Sequence, residues 1–238
     1  MGKSKYKRVL LKLSGESFCK RGEFGIDGGA LKSIAERISE ICKLGPEVAV
    51  VVGGGNFLRG ESFSEVSGIP RNTADYMGML ATIINACALQ EMLEKLGQPT
   101  RVLSAIEVAD VCERFIRRRA LRHLERGRVA ILAGGTGNPF FTTDTCAALR
   151  ASELEADVVI KATKVEGVYS DDPEKNPNAK LFEKLSYGDV LKKNLRVIDH
   201  SAIGLCRDNN IPIIVLNIFK EGNITKAICG EQVGTLIC

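Results

Sequence analysis

The stretch VAILAGGTGNPFFTTDTCAALRA (129–151) decides the fold. Five apolar residues, too few for a helix of ordinary length, run into a glycine-rich loop. That loop gives way to Asp144 and a segment of small and apolar residues that reads as a helix over 144–155. A buried strand handing over to a helix through glycines, threonines and two phenylalanines is half of a β-α-β unit. The polar, amide-rich handover lies where such units bind ligands.

The same grammar repeats on both sides of this segment. Strands are expected at 8–15 (RVLLKLSG), 48–56 (VAVVVGGGN), 100–105, 129–133, 157–163 and 211–217, with GTLIC closing the chain. Helices are expected at 28–44, with Leu31, Ile34, Ala35, Ile38 and Ile41 in register, and at 73–96, with Met77, Leu80, Ala81, Ile84, Ala88, Met92 and Leu96 in register. A basic helix is expected at 113–126, and Asp199 reads as the N-cap of a helix reaching about Asn209. Strand–helix alternation from end to end predicts α/β architecture with a mainly parallel sheet covered on both faces. No linker, repeat or low-complexity tract divides the chain; an Asp/Pro/Asn loop at 170–179 is the one candidate lobe boundary.

Composition narrows the function. A 238-residue chain with 45% hydrophobic residues builds a substantial core, and a net charge of +4 suits a binder of small anions better than a nucleic-acid protein. The cluster Arg114, Arg117, Arg118, Arg119 and Arg122 reads as the solvated face of a helix. Eight scattered cysteines without a Cys-x-x-Cys pair, and two remote histidines, argue for a reducing compartment and against structural zinc. No signal peptide and no bilayer-spanning run is expected, so the chain reads as cytoplasmic.

Three loops carry glycine where a strand ends: KLSGE (12–16), GGGNFLRG (53–60) and GGTGNPFFTTD (134–144). Missing β-carbons let several backbone amides approach one phosphate, and helices starting there add a positive dipole end. With Lys12 and Arg59 alongside, the three predict a site for several phosphates. Neither Gly-x-x-x-x-Gly-Lys-Ser/Thr nor Gly-x-Gly-x-x-Gly occurs, which argues against P-loop NTPases and nicotinamide dehydrogenases. Asp75 near the start of the long helix reads equally as an acid satisfying the helix dipole or as a ligand contact.

Together LLKLSGE, FGID, GGGN…RG, AD-x-MGMLAT, GTGNPFFTTD, KATKVEGVY-x-x-DP and GTLI resemble bacterial uridylate kinase (UMP kinase), of the amino acid kinase superfamily. The match is collinear and nearly end to end, and GTGNPFFTTD is its most specific part. The resemblance implies a three-layer αβα sandwich with a mainly parallel central sheet. One domain would span 1–238, the acceptor part roughly 1–155 and the ATP part roughly 156–238, with Lys12 to Gly15 contributing to the latter. It implies ATP with Mg²⁺ as phosphoryl donor, UMP as acceptor, a homohexamer built as a trimer of dimers, and GTP and UTP as common effectors.

By the same resemblance Lys12, Leu13, Ser14, Gly15, Gly55 and Arg59 face the ATP phosphates, and Thr163, Tyr169 and Asp172 line the ATP base and ribose. Gly54, Asp75, Thr136, Gly137, Asn138, Pro139, Phe140, Phe141, Thr142 and Thr143 contact UMP. Lys12, Arg59, Asp144, Lys161 and Asp199 surround the reacting phosphates, and no residue is assigned as a direct metal ligand. One of the two phenylalanines is expected to pack the loop. Two departures stand out: NFLRG replaces the usual N-x-FRG, and Gln90 and Glu94 stand where some members carry basic residues that help to bind GTP, although Arg101 and Arg128 remain. Asp75 and the Phe-Phe loop argue against a relative acting on a carboxylate or carbamate. Lys12, Asp144 and Asp199 argue against a non-catalytic nucleotide sensor.

Overall fold

The computed structural model describes residues 2–238 except 21, 174, 177 and 196. The chain begins with β1 (Arg8–Leu13), a 3-10 turn (Gly15–Phe18), α1 (Gly28–Lys43) and β2 (Glu47–Val52). It continues with α2 (Gly60–Ser67), α3 (Arg71–Lys95), β3 (Thr100–Ser104), β4 (Glu113–Arg114), α4 (Arg117–Glu125), β5 (Val129–Ala133), α5 (Thr143–Leu154) and β6 (Val158–Thr163). The last third holds β7 (Lys184–Leu185), α6 (Tyr187–Lys192), α7 (His200–Asp208), β8 (Ile213–Asn217), α8 (Asn223–Cys229) and β9 (Thr235–Ile237).

Among the described residues, all nine strands join one sheet in the order β4-β3-β5-β2-β1-β6-β8-β9-β7. Every pairing is parallel except β8 with β9. The strands are apolar on both faces because both faces are covered. On one side α1, α3 and α8 bury Ile34, Ile38, Leu89, Leu93 and Ile224 against Val9, Leu11, Val50 and Ile131. On the other, α4, α5 and α7 bury Leu124, Cys146, Ala151 and Ile203 against Leu10, Val51, Leu132 and Val215. The result is the expected αβα sandwich. Its topological switch falls at β1, flanked by β2 on one side and β6 on the other, where a crevice opens beyond the carboxyl ends of the strands.

Several expectations are corrected. The helix expected at 113–126 begins only at Arg117, because Glu113 and Arg114 extend the sheet beside Leu103 and Ser104. Its arginines are solvated and ion-paired, Arg117 with Glu155 and Arg119 with Glu113. The strand expected to reach residue 56 stops at Val52, and 53–56 form the turn. Helices α2, α6 and α8 had no counterpart in the periodicity; α2 buries none of its residues, so it leaves no apolar stripe to detect.

The long helix holds the most informative error. Its buried face is Met79, Ile83, Ala86, Leu89 and Leu93, whereas Leu80 and Ile84, two of the residues in the expected apolar register, are 50% and 51% exposed. α3 is apolar on two faces, and periodicity alone cannot say which one meets the sheet. The helix also starts at Arg71, which puts Asp75 in its second turn, beyond the reach of a helix-dipole role.

Candidate active site

Four neighbouring strands, β5, β2, β1 and β6, end at one edge, and the loops that leave the first three, with Lys161 of β6 and the start of α3, enclose a cleft of about 570 Å³. A depression of about 620 Å³ around Gln90, Arg101 and Glu113 lies at the β4 edge, away from the glycine loops. The loops of the cleft pack backbone to backbone. A β-carbon on Gly15 would fall 2.8 Å from the amide nitrogen of Asn56, and one on Gly54 would fall 2.6 Å from the carbonyl oxygen of Gly78 on α3. A buried amide pair secures this contact: Asn85 Nδ2 donates to Gly53 O at 2.8 Å and to Asn56 Oδ1 at 2.7 Å. Thr82 similarly accepts Gly134 N–H at 2.7 Å. Sequence reading missed Asn85 and Thr82; the signal was a polar side chain inside an apolar helix face.

At the floor of the cleft lies Asp144, in the first turn of α5. Its Oδ1 is 2.9 Å from Lys12 Nζ on β1 and its Oδ2 is 2.5 Å from Lys161 Nζ on β6. The Lys12 contact is a close ion pair. Lys161 also donates to Val197 O. Burial pushes the Asp144 carboxyl up, but Lys12 and Lys161 more than offset this and hold it below the usual carboxylate range. Burial, with Lys12 as a second positive charge, lowers the pKa of Lys161, and Asp144 offsets only part of that. Two ammonium groups thus share one carboxylate, leaving a net positive charge where the glycine loops converge.

Asp199 caps α7 by accepting Ala202 N–H at 2.8 Å, as its sequence position predicts. It also accepts hydrogen bonds from the hydroxyls of Thr142 and Thr145, at 2.9 Å and 3.0 Å for the latter. Asp199 therefore ties the start of α7 to the start of α5. Thr142, not Thr143, is the N-cap of α5, accepting Asp144 N–H at 3.0 Å and Thr145 N–H at 3.2 Å. Thr143 Oγ1 is left facing Gly53 within the cleft.

Of the other residues singled out above, Ser14, Gly15, Gly54, Gly55, Arg59, Asp75, Thr136, Asn138 and Phe141 line the same cleft. Leu13 lies beneath it with its side chain fully buried in the core; only its backbone faces the second loop, accepting Gly53 N–H at 2.9 Å. Gly137, Pro139 and Phe140 form the outer turn of the third loop. Phe140 and Phe141 are 67% and 55% exposed, so neither packs the core, contrary to expectation. Thr163, Tyr169 and Asp172 fall outside the cleft, along the chain leaving β6. Thr163 shares a strand face with Lys161, as alternation requires, and Tyr169 bridges to Leu181. Arg59 pairs with Glu16 and Asp75 with Arg71, and neither Glu16 nor Arg71 drew attention in the sequence.

Oxygen donors surround the charge centre, but both Asp144 oxygens face ammonium groups and Asp199 is saturated. No group of three metal-ligating side chains occurs among the described residues. Such a set fits a hard divalent cation that arrives on phosphates and takes at most one carboxylate from the protein.

Residues 7–217 match the amino acid kinase family. A chloroplastic uridylate kinase of Arabidopsis thaliana, PUMPKIN, is 55% identical over 233 residues, covering 98% of this chain and 69% of that protein. The crystal structure of a UMP kinase from Bacillus anthracis superposes with a TM-score of 0.94 at 41% identity, covering 98% of this chain and 96% of its own. That of a UMP kinase from Ureaplasma parvum gives 0.90 at 38% identity, over 100% and 99% of the two chains. A family match over most of the length, on the sheet order and glycine-loop cleft described above, means that the chain belongs to the amino acid kinase family.

Proposed function

We propose that this chain is a UMP kinase that transfers the γ-phosphoryl group of ATP to UMP, giving UDP and ADP in pyrimidine nucleotide synthesis. The observation that carries the reading is Asp144 holding Lys12 and Lys161 at the floor of a cleft whose walls are the first, second and third glycine loops. In the reaction the bond from the γ-phosphorus to its bridging oxygen breaks and a bond to a UMP phosphate oxygen forms. The acceptor is already anionic near neutral pH, so no general base is required. The barrier lies in crowding negative charge, and positioning with electrostatic stabilisation lowers it.

Lys12, Lys161 and Arg59 supply positive charge to the phosphates, with Ser14, Gly15 and Gly55 offering close backbone approach. Mg²⁺ would supply further charge neutralisation and would be held chiefly by the ATP phosphates, with Asp144 orienting Lys12 and Lys161 beside it, since both of its oxygens already face those lysines. Asp199 fixes Thr142 and Thr145, and with them the start of α5. Gly54, Asp75 and the segment from Thr136 to Thr143 form the UMP side, Asp75 taking a ribose hydroxyl. Thr163, Tyr169 and Asp172 form the ATP base and ribose side, with Leu13 contributing backbone only. The acceptor part is then roughly 1–155 and the ATP part roughly 156–238 within one domain.

We read the assembly as a homohexamer, and the exposed Tyr76, Leu80 and Ile84, spaced to share one face of α3, support a subunit contact there. Regulation by GTP and UTP belongs to the same reading. Activation by GTP has the weaker support, because Arg101 is already paired with Glu94 at 2.9 Å and Arg128 with His123 at 3.1 Å. No helix among the described residues is long and apolar enough to cross a membrane, and eight unpaired cysteines support a reducing compartment, in our reading the cytoplasm.

The test is ADP release coupled to NADH oxidation, with UMP, CMP, dTMP, aspartate and carbamate as alternative acceptors. UMP should be turned over at least about tenfold better in kcat/KM than any other acceptor. Preferred turnover of aspartate or carbamate, or none with UMP, overturns the assignment.

A further inference from the structure

Arg71 is the first residue of α3, at the positive end of the helix dipole, where a cation is unfavourable. Its partner Asp75 follows four residues later, the less favourable order for such a pair. Phe140, a bulky residue, stands at φ +71 in the left-handed region, which costs energy without glycine. These three locally poor choices meet at one point, and local rules are broken where something else requires it.

Arg71 Nε donates to both Asp75 oxygens, at 2.9 and 3.0 Å. Across 65 positions of sequence, Phe140 N–H donates to Asp75 Oδ2 at 2.8 Å. The Arg71 guanidinium also lies 5.8 Å from the Phe140 ring centre, within cation–π range, and 3.5 Å from Glu61 on α2. From the other side Gly60 closes on Asp75: a β-carbon there would fall 3.1 Å from its backbone nitrogen and overlap Oδ1. Asp75 is thus the junction of α2, α3 and the third glycine loop, and its side chain is only 13% exposed. A carboxylate offers about four acceptor sites. Arg71 and Phe140 take three of them, leaving Oδ1 one.

We propose that Arg71 is a positioning residue for the acceptor nucleotide. Through Asp75 it latches the loop 134–142 onto α3 and holds Phe140 in its strained conformation, so that the remaining acceptor site of Asp75 and the loop's amides face the cleft together. The inference rests on the acceptor side of the cleft being as proposed above. Its consequence is a split: Arg71 governs affinity for UMP and leaves the phosphoryl step, at Lys12 and Asp144, untouched.

The experiment uses Arg71→Gln and Arg71→Lys in the full chain, with two readouts. Amide hydrogen exchange over 136–142, measured without nucleotide, reports the latch itself. Steady-state kinetics report its consequence. In Arg71→Gln, exchange at the Phe140 amide and KM for UMP should each rise roughly tenfold, the loss expected for one charged hydrogen bond. KM for ATP and kcat should stay within about twofold. Arg71→Lys should fall between, since an ammonium keeps the charge but loses the planar fork. Unchanged exchange and unchanged KM for UMP overturn the proposal, as does an equal loss for ATP and UMP. Should Arg71→Gln fail to fold, Arg71→Lys decides by the same criteria. If the wild-type chain turned over no UMP, the kinase reading would fall while hydrogen exchange still judged the latch.

Discussion

Thr142 and Thr143 are adjacent, nearly identical in sequence context, and do different things, which makes their valine variants a sharp test. Thr142 Oγ1 accepts two backbone N–H groups at the start of α5 and donates to Asp199. Thr142→Val keeps the volume and removes all of these bonds. Loss of an N-cap costs about 1 kcal/mol, within a range of roughly 0.5–2. The bond to Asp199 is exposed to solvent and adds little to that. For a domain of this size about 1 kcal/mol lowers Tm by roughly 2–4 °C. Thr143 is not the cap; its hydroxyl faces the cleft beside Gly53. Thr143→Val should therefore leave Tm within about 1 °C. It should lower kcat/KM for UMP by about tenfold to a hundredfold, the worth of one hydrogen bond to a charged group. Differential scanning fluorimetry and UMP kinetics on the same two preparations decide the matter. A Thr143→Val protein that melts several degrees early with unchanged UMP kinetics would show that the cap and ligand roles are reversed.

Lys12→Ala should lower kcat by several orders of magnitude while the chain still folds, because Asp144 retains Lys161; a variant keeping more than about a tenth of kcat, under 1.4 kcal/mol of barrier, would refute the role. Asp144→Asn should cost roughly 3 kcal/mol at pH 7 by leaving Lys12 and Lys161 without their counter-charge. Because the folded Asp144 pKa lies below its unfolded value, its contribution is complete above the unfolded pKa and disappears as pH falls through the folded one. Urea titrations should accordingly show the wild-type and Asp144→Asn stabilities converging below about pH 4, and a constant gap down to the acid transition would contradict this. Asp75→Asn should raise KM for UMP with KM for ATP unchanged, and should narrow the preference for UMP over dUMP; equal kcat/KM for the two acceptors in the wild type would leave Asp75 with the latch alone.

How far the sequence could be read depended on whether a feature was local. β1, β2, β5 and β6 are short apolar runs, the first three leading into glycine loops, and each is found within a few residues of its expected place because run length and turn residues are properties of the segment itself. α3 shows the opposite. Its two apolar faces make the buried stripe a matter of which face the sheet meets, so the helical register takes in the exposed Leu80 and Ile84 and passes over the buried Met79, Ile83 and Leu89. The site divides in the same way. Lys12, Arg59 and the three glycine loops were legible as phosphate-binding chemistry from their positions at strand ends. Asp144, Lys161 and Asp199 were reached only through resemblance, because nothing in the chain between Lys12 and Asp144 signals that they meet. Glu16 and Asn85 were invisible for the same reason, each acting on a partner far away in sequence, and Arg71 matters because its near partner Asp75 reaches Phe140, 65 positions on; single-segment patterns carry no record of such contacts.

The cations of the cleft differ in a way that bears on the order of events. Each has an internal carboxylate: Lys12 and Lys161 share Asp144, Arg71 holds Asp75, and Arg59 holds Glu16. A phosphate can displace a carboxylate from a cation only where the carboxylate has somewhere better to go. Asp144 is buried between two lysines, and moving it would strand three charges in a poorly solvated place. Glu16 and Arg59 have side chains 48% and 64% exposed, so water takes up Glu16 at little cost once a phosphate reaches Arg59. The buried centre is therefore preorganised, as the electrostatic catalysis proposed above would require. In the proposed reaction Arg59 would be the cation that exchanges partners, giving up Glu16 for a nucleotide phosphate. On that proposal its contribution would belong to capture of the nucleotides and should weaken with salt, whereas that of Lys12 and Lys161 would belong to the transition state and should be shielded from it.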